Sequence, residues 1–182
     1  MAELITQRLI LRPVVRSDLP DILTLAGDAA VAEMTGGISH PLSAADVEAW
    51  LESCGSDDQH FAMTRAADQA FLGVVGLSLP QDRQPYLGYW LGRGHWGQGY
   101  ATEAVRRVLR YAFGEMKLSE IEAGVFPGND ASVRVLTKTG FREQGRAVRP
   151  APARGGDREV LLFVATRASF AQAALSQAVG RA

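Results

Sequence analysis

Four glycines, at positions 92, 94, 97 and 99, lie within eight residues of the segment YWLGRGHWGQGYATEA. A helix that starts at Tyr100 has no Ser, Thr, Asp or Asn in its capping position, so its first N–H groups need another partner. Gly97 and Gly99 let the backbone turn and keep side chains away from an incoming group. A phosphate meets both requirements, because a helix N-terminus offers oriented donors and a positive dipole end. The alternative is a glycine-rich turn that only joins a strand to a helix.

The spacing of these glycines differs from two common phosphate-binding motifs. The segment has no Gly-Lys-Ser/Thr ending, which the P-loop requires, and Thr102 occupies the third glycine position of Gly-x-Gly-x-x-Gly. A nucleoside triphosphate and a dinucleotide are therefore both disfavoured as ligands.

A second polar set, Asn129, Asp130 and Ser132, precedes another amphipathic segment. Asn129 or Asp130 could cap the helix that follows, and for these two residues capping and a direct functional role both remain open. Ser132 falls inside the first turn, where capping is less natural, so its hydroxyl is a candidate for chemistry.

Composition narrows the class of protein. A chain of 182 residues with 47% hydrophobic content and a net charge of −1 predicts one domain with a full core and no nucleic-acid partner, although 142–158 is locally basic. The one cysteine, Cys54, excludes an internal disulfide and a cysteine zinc site, and we expect no metal. The start of the chain lacks a leader pattern, and no apolar run approaches about 18 residues. We expect a cytoplasmic protein without a membrane partner.

The periodicity of apolar residues predicts the elements that position these groups. A β-rich segment ends at Pro13, a helix follows capping Ser17, and Ser43 with Asp46 forms a capping box for the next helix. Three strand candidates then suggest an antiparallel meander: HFAMTRA, AFLGVVGLSLP and PYLGYWLG. The remaining elements are helix 100–116, strand 120–126, helix 131–139, strands 141–149 and 159–166 around an exposed loop at 149–157, and a helical tail at 167–182. Glu103 is predicted to pair with Arg107 one turn later.

A strand that reaches the next strand through a helix implies a parallel pair. The predicted fold class is therefore α/β, or α+β with a mixed sheet, in a single domain over 1–182 with its core at about 6–166.

The segments GYWLGRGHWGQGYATEAVRRVLRYAF and IEAGVFPGNDASVRVLTKTGF resemble the GNAT family of N-acetyltransferases. They are most similar to its branch of ribosomal-protein-alanine (RimJ/RimL-type) acetyltransferases, and the resemblance runs from about Thr6 to Thr166. It implies the GNAT fold, a central, mostly antiparallel sheet with a splayed parallel strand pair and flanking helices. It also implies a primary amine as acceptor.

The resemblance implies that acetyl-CoA binds with its pyrophosphate on the loop 93–102 and its pantetheine between the splayed strands. Main-chain N–H near Trp90 and Leu91 would polarise the thioester carbonyl, and Ser132 would donate a proton to the leaving thiolate. The implied cofactor-binding residues are Tyr89, Trp90, Leu91, Arg93, Gly94, Gly97, Gln98, Gly99, Tyr100, Ala101, Thr102, Asn129 and Ser132, with Leu91 and Ser132 as the catalytic ones.

The chain departs from the family pattern at three positions. Gly94 stands where the phosphate loop usually begins with Gln or Arg, and Arg93 is one position too early. Leu136 replaces the tyrosine acid of many members, and Gly124 replaces a glutamate that some of them use.

The sequence does not identify the general base. Glu122 reads as a solvated strand residue, His40 as a loop residue near the acceptor, His95 as a phosphate-loop residue, and His60 as a structural residue at the start of a strand. An amine acceptor still has to lose a proton before it attacks a carbonyl.

Two classes of function follow. The first is an enzyme that moves acetyl from acetyl-CoA to a primary amine by direct attack in a ternary complex; the amine could belong to a protein N-terminus, a polyamine or an antibiotic, and a homodimer is possible. The second is a CoA-binding or regulatory module that has lost its chemistry, as the missing tyrosine and glutamate would allow.

Overall fold

The computed structural model describes residues 3–53 and 58–179, with side chains to 176. In these residues eight strands form one sheet in the order β1-β2-β3-β4-β5-β6-β8-β7. The strands are β1 Leu4–Ile5, β2 Leu9–Pro13, β3 Gln59–Arg65, β4 Phe71–Ser78, β5 Tyr86–Leu91, β6 Glu120–Val125, β7 Arg142–Arg149 and β8 Arg158–Thr166. β5 and β6 are parallel, and the other neighbouring pairs are antiparallel. The mixed sheet and the meander β3-β4-β5 are as the sequence predicts.

The helices are α1 Leu19–Ala26, α2 Ala29–Glu33, α3 Ala44–Ser53, α4 Tyr100–Gly114, α5 Asp130–Lys138 and α6 Arg167–Val179. From β3 to β8 the observed ends agree with the predicted ends to within two residues, because the apolar periodicity in these segments is strong. The helical tail was predicted over 167–182, and its last three residues lie outside the described residues. None of the described helices is long and apolar enough to cross a membrane.

Different helices pack against the two faces of the sheet. Phe61, Val75 and Leu91 belong to the apolar core that includes the buried face of α4. The alternate positions Ala62, Val74 and Trp90 pack with residues of α1 and α3. Because side chains alternate along a strand, each of these strands supplies one row to the α4 face and one row to the α1/α3 face.

The first helix does not begin as predicted. Ser17 lies in a short 3-10 turn before α1 and does not cap it. Asp18 is buried there, where it accepts two hydrogen bonds from Arg12, at 2.8 and 2.6 Å, and one from the N–H of Val15. The prediction of a serine cap was wrong because this carboxylate organises the turn.

The predicted capping box of α3 is present. Ser43 N–H donates to Oδ2 of Asp46 at 2.8 Å, and Asp46 N–H donates back to Oγ of Ser43 at 3.2 Å. Cys54, which was expected near the end of this helix, lies outside the described residues.

Two features of the C-terminal half differ from expectation. β8 lies between β6 and β7, so the helix between β6 and β7 does not join neighbouring strands. The loop 150–157 is not simply exposed: Ala151 is buried, and Arg154 donates to the carbonyl of Glu33 at 2.7 Å and lies 4.5 Å from the centre of the Phe126 ring.

Candidate active site

A gap opens in the sheet between β5 and β6. In the described part of the chain these strands are in register at one pair, Tyr86 and Glu122, next to a hydrogen bond from Glu122 N–H to the carbonyl of Pro85 at 2.8 Å. Beyond this pair β5 runs on to Leu91 without a register partner on β6. The backbone groups of β5 that face β6 are therefore available at the gap.

The hydrogen-bond pattern of β5 identifies which groups these are. Gly92 N–H donates to the carbonyl of Leu72, so Gly92 and, by alternation, Trp90 direct their backbone groups toward β4. Tyr89 and Leu91 direct theirs toward the gap, and the indole N–H of Trp96 donates to the carbonyl of Leu91 at 2.7 Å on this side. Of the two expected carbonyl donors, Leu91 N–H faces the gap; the expectation for Trp90 N–H was wrong because that group belongs to the β4 ladder.

The N-terminus of α4 lies at one end of the gap without a side-chain cap. Its capping residue is Gly99, at φ 81°, and within residues 3–53 and 58–176 the helix start has no side-chain cap hydrogen bond. A Cβ on Gly97, at φ 73°, would meet nothing within 4 Å. Bare backbone and orphan donors face open space there, which is the arrangement that binds an anion.

Arg8 stands beside this loop, and sequence reasoning did not select it. Its guanidinium donates to the carbonyl of Gln98 at 3.0 Å and lies 4.6 Å from the centre of the Tyr100 ring. Gln98 in turn donates from its side chain to the carbonyl of Gly94 at 3.0 Å. Arg8 therefore places a guanidinium next to the uncapped helix, from the turn between β1 and β2, 90 residues away in sequence.

Glu103 anchors this arrangement through partners that differ from the predicted Arg107. Its carboxylate accepts from Nε of Arg8 at 2.7 Å, from the N–H of Arg8 at 2.8 Å and from the hydroxyl of Thr6 at 2.7 Å. Burial alone would raise the pKa of Glu103, but these hydrogen bonds and the charge of Arg8 outweigh it and hold the pKa below its ordinary value. The turn between β1 and β2 is thereby tied to α4.

We expect Glu103→Gln to lower the free energy of unfolding by about 1 to 2 kcal/mol at pH 7, because it removes a charged hydrogen-bond acceptor. The folded-state pKa lies below the unfolded value, so this stabilisation is present above the ordinary pKa of 4.5 and is lost as pH falls through the folded value. Urea unfolding of both proteins at pH 7 and pH 3 measures it. A difference that is the same at both pH values would contradict the assignment.

His95 was expected to contact the anion. It lies half-buried in the loop, where burial and then the charge of Arg65 lower its pKa. A lowered pKa favours the neutral imidazole at pH 7, so His95 is not a source of positive charge at this loop.

Asn129 and Ser132 meet at the start of α5. Asn129 caps the helix by accepting the N–H of Ser132 at 3.1 Å, which answers the capping question for that residue. The Ser132 hydroxyl lies 2.7 Å from the hydroxyl of Tyr89, which also lies 3.3 Å from the Ser132 carbonyl. Burial raises the pKa of Tyr89, so this phenol stays protonated and is a donor. When it donates to Ser132, the proton of Ser132 is free to point into the gap.

Two of the three positions that depart from the family pattern, Leu136 and Gly124, have other uses. Leu136 is fully buried in the core beneath α4. Gly124 faces Tyr86, whose hydroxyl is 2.5 Å from where a Cβ on Gly124 would lie. Tyr86 thus fills the space that a side chain at 124 would enter, and it was not selected from the sequence.

A cavity of about 1280 Å³ joins these features. The predicted site residues on its wall are Tyr89, Trp90, Leu91, Gly97, Gly99, Tyr100, Ala101, Thr102, Asn129 and Ser132. Arg93, Gly94 and Gln98 are exposed and are not on the wall. The structure thus brings most of the predicted residues to one place and leaves three on the outer side of the loop.

The opposite wall of the cavity comes from the α1/α3 face. It includes Ile22 and Trp50, the segment 34–39, and His60 on β3. Glu122 is not the solvated residue that was expected, because it is half-buried and lies 3.5 Å from Arg149. His40 is exposed and is not on the wall. An acceptor entering from this side would reach the gap opposite the glycine loop.

Comparisons with known proteins point to one family. A family model described as an acetyltransferase (GNAT) domain matches residues 8–142. The protein named "Probable N-acetyltransferase YjcK" from Bacillus subtilis is 44% identical over 94 residues, which is 50% of this chain and 52% of the relative. The "Uncharacterized N-acetyltransferase p20" of Bacillus licheniformis is 32% identical over 102 residues, 55% of this chain and 57% of the relative. The chain thus spans about half the length of the curated relatives it matches.

Solved structures share the fold over nearly the full chain. RimJ of Mycobacterium smegmatis, in complex with CoA-disulfide, has a TM-score of 0.77 at 25% identity, covering 95% of this chain and 90% of that one. Spermidine N-acetyltransferase from Vibrio cholerae, in complex with CoA and spermine, has a TM-score of 0.75 at 22% identity, covering 91% and 99%. The second likeness is one of fold alone.

Proposed function

Because the chain belongs to the acetyltransferase (GNAT) domain family, we propose that it transfers acetyl from acetyl-CoA to a primary amine. The observation that carries the proposal is that two sets of backbone N–H donors lie on the same cavity. One set is at the uncapped start of α4, and the other donor is Leu91 N–H at the gap. The first suits a diphosphate, and the second suits a thioester carbonyl at the end of the same molecule.

Acetyl-CoA would lie with its pyrophosphate against Gly97, Gly99 and the first turn of α4, beside the charge of Arg8. Its pantetheine would follow the gap and pair with the backbone groups of Tyr89 that face β6, which leaves Leu91 N–H for the thioester carbonyl. The glycine loop admits the cofactor from one side of the sheet, and the α1/α3 face leaves the other side for the amine. Both substrates can therefore be present together, which supports direct attack in a ternary complex.

In the reaction, the free amine attacks the carbonyl carbon and a C–N bond forms. Leu91 N–H donates to the developing oxyanion. The C–S bond then breaks, CoA leaves as a thiolate, and the Ser132 hydroxyl is placed to give it a proton while Tyr89 donates to Ser132. The attacking nitrogen loses one proton, which replaces the proton that Ser132 gives up, and the products are an N-acetylated amine and CoA thiol.

Acceptors of two kinds fit this proposal: the N-terminus of a protein, as for a RimJ/RimL-type enzyme, and a small amine. The test is thiol release from acetyl-CoA with an Ala-initiated peptide, spermidine and an aminoglycoside, with mass spectrometry of the products. Acetylation of at least one amine supports the proposal. Tight binding of CoA without thiol release from any of them would favour the regulatory module instead. A cytoplasmic location and a homodimer remain predictions.

A further inference from the structure

Three glycines remove side chains from the α1/α3 face of the sheet beside the gap. Gly76, Gly88 and Gly124 occupy positions of this face on the adjacent strands β4, β5 and β6. A Cβ on Gly88 would meet nothing within 4 Å, whereas one on Gly124 would meet the hydroxyl of Tyr86. The open space lies over Gly88, between Trp90 and Tyr86, with the Tyr86 hydroxyl over Gly124. We name this recess the glycine trench.

His60 closes the far end of the glycine trench. It is the register partner of Gly76 on β3, and Gly76 is the register partner of Gly88 on β5. A Cβ on Gly76 would collide with Nδ1 of His60, so the imidazole ring lies over the β4 backbone. From there one strand spacing, about 4.8 Å, remains to Gly88. One water molecule spans such a distance.

The ring is held by two further groups. Nε2 of His60 lies 3.9 Å from Oδ2 of Asp58, and Trp50 of α3 packs edge-on against the ring with centroids 5.4 Å apart. Asp58 also accepts the N–H of Leu79 at 2.7 Å, which fixes the carboxylate. With Asp58 on the Nε2 side, the Nδ1 side faces the trench. A base oriented by a carboxylate is a recurrent catalytic arrangement.

The charge around His60 favours a neutral ring at pH 7. Burial lowers its pKa, and the negative charge of Asp58 opposes that effect only in part. Besides Asp58 and His60, the charged or titratable groups that line the cavity are Asp46, Arg83, Tyr86, Tyr89, His95, Tyr100, Glu122, Asp130, Arg134, Lys138 and Arg149. Glu122 and Arg149 form a pair, so their charges largely compensate each other.

We propose that His60 is the general base that deprotonates the acceptor amine, directly or through one water above Gly88. The assignment rests on the proposed acetyl transfer and adds to it the group that removes the proton. It replaces the interpretation of His60 as a structural residue. It also gives a role to Gly76, which makes room for the ring, and to Gly88, which makes room for the amine.

The positions of His60 and Ser132 suggest a path for each proton of the reaction. An alkylammonium enters the trench and passes one proton to Nδ1 of His60, which becomes an imidazolium beside Asp58. The neutral amine attacks the thioester carbonyl. When the tetrahedral intermediate collapses, a second proton from the amine nitrogen reaches the CoA thiolate by way of Ser132 or solvent. The imidazolium then releases its proton to water. One proton leaves for each acetyl group transferred.

The experiment compares kcat/KM of wild type and His60→Gln from pH 6 to about pH 10.5, which reaches the pKa of an alkylamine, with the panel amine that wild type acetylates fastest. A base inside the protein matters most when the amine is protonated in solution. We expect the variant to be about 10-fold slower at pH 7, because water in the cavity takes over part of the role, and the two rates to converge near the pKa of the amine. Acetyl-CoA affinity, measured by calorimetry, should not change.

His40→Gln is the matched control, since His40 is exposed and away from the cavity wall, and it should match wild type at every pH. A pH-independent ratio between wild type and His60→Gln, or no difference, would overturn the proposal. If His60→Gln does not fold, Asp58→Asn replaces it. Without the carboxylate the pKa of His60 falls further, so the acidic limb of the kcat/KM profile should move to lower pH. An acidic limb that does not move would overturn the proposal. Failure of wild type with every amine would refute the acetyl transfer itself, which is a different outcome.

Discussion

Gly99→Val is expected to weaken acetyl-CoA binding by about 100-fold. The isopropyl group would occupy the space in front of the first N–H groups of α4, where the pyrophosphate is proposed to lie. Two charge-assisted hydrogen bonds of about 1.5 kcal/mol each account for a loss of this size. Isothermal titration calorimetry with acetyl-CoA measures the effect.

A matched control is needed because Gly99 has φ 81°, where a β-branched residue is strained. Gly155 has φ 74° in the loop 150–157, away from the cavity wall, so Gly155→Val introduces similar strain at a different place. Gly155→Val should bind acetyl-CoA like wild type and melt at a similarly reduced temperature. Unchanged binding by a folded Gly99→Val protein would refute the pyrophosphate position.

Ser132→Ala is expected to lower turnover by something on the order of 100-fold or less, with little change in acetyl-CoA affinity. The effect has this limit because a thiol of pKa about 8.5 can also depart as its anion. The fold should tolerate the change, since Tyr89 keeps the Ser132 carbonyl as an acceptor at 3.3 Å. Steady-state kinetics together with calorimetry separates the two quantities.

Other outcomes would reassign Ser132. A loss of CoA affinity parallel to the loss of turnover would make it a binding residue, and unchanged turnover would give the acid role to water. Tyr89→Phe is the companion variant: it keeps Ser132 but removes the donor that orients its hydroxyl. We expect a smaller fall in kcat than for Ser132→Ala, with the KM for acetyl-CoA unchanged. A fall larger than that of Ser132→Ala would indicate that Tyr89 acts on the substrate itself.

Much of the fold could be predicted because it depends on local patterns. The stripe of Ala104, Val105, Val108 and Ala112 fixes both the existence and the buried face of α4, and the turn-rich pieces between β3, β4 and β5 fix the meander. The uncapped start of α4 is likewise visible in the residue types alone. The start of α1 was mispredicted because Asp18 accepts a hydrogen bond from Arg12, and only the folded chain brings these two side chains together.

The remaining site residues depend on contacts between distant segments. Arg8 reaches the glycine loop only because β1 and β2 lie beside α4, and Glu103 prefers these partners to a neighbour on its own helix. The glycine trench has no local signal either, since Gly76, Gly88 and Gly124 read separately as ordinary strand glycines. The register between β4, β5 and β6 places them side by side, and this register cannot be read from a single sequence.

In the described residues β5 and β6 share a single register pair, which leaves part of the sheet ladder open. One apolar core, which includes residues of α4, β5, β6 and β8, joins the two sides of this opening. A pantetheine chain that pairs with Tyr89 would act as a surrogate strand and complete the ladder where the protein leaves it open. The cofactor would then be a temporary part of the sheet as well as a reactant, and each release of CoA would expose the same backbone groups again.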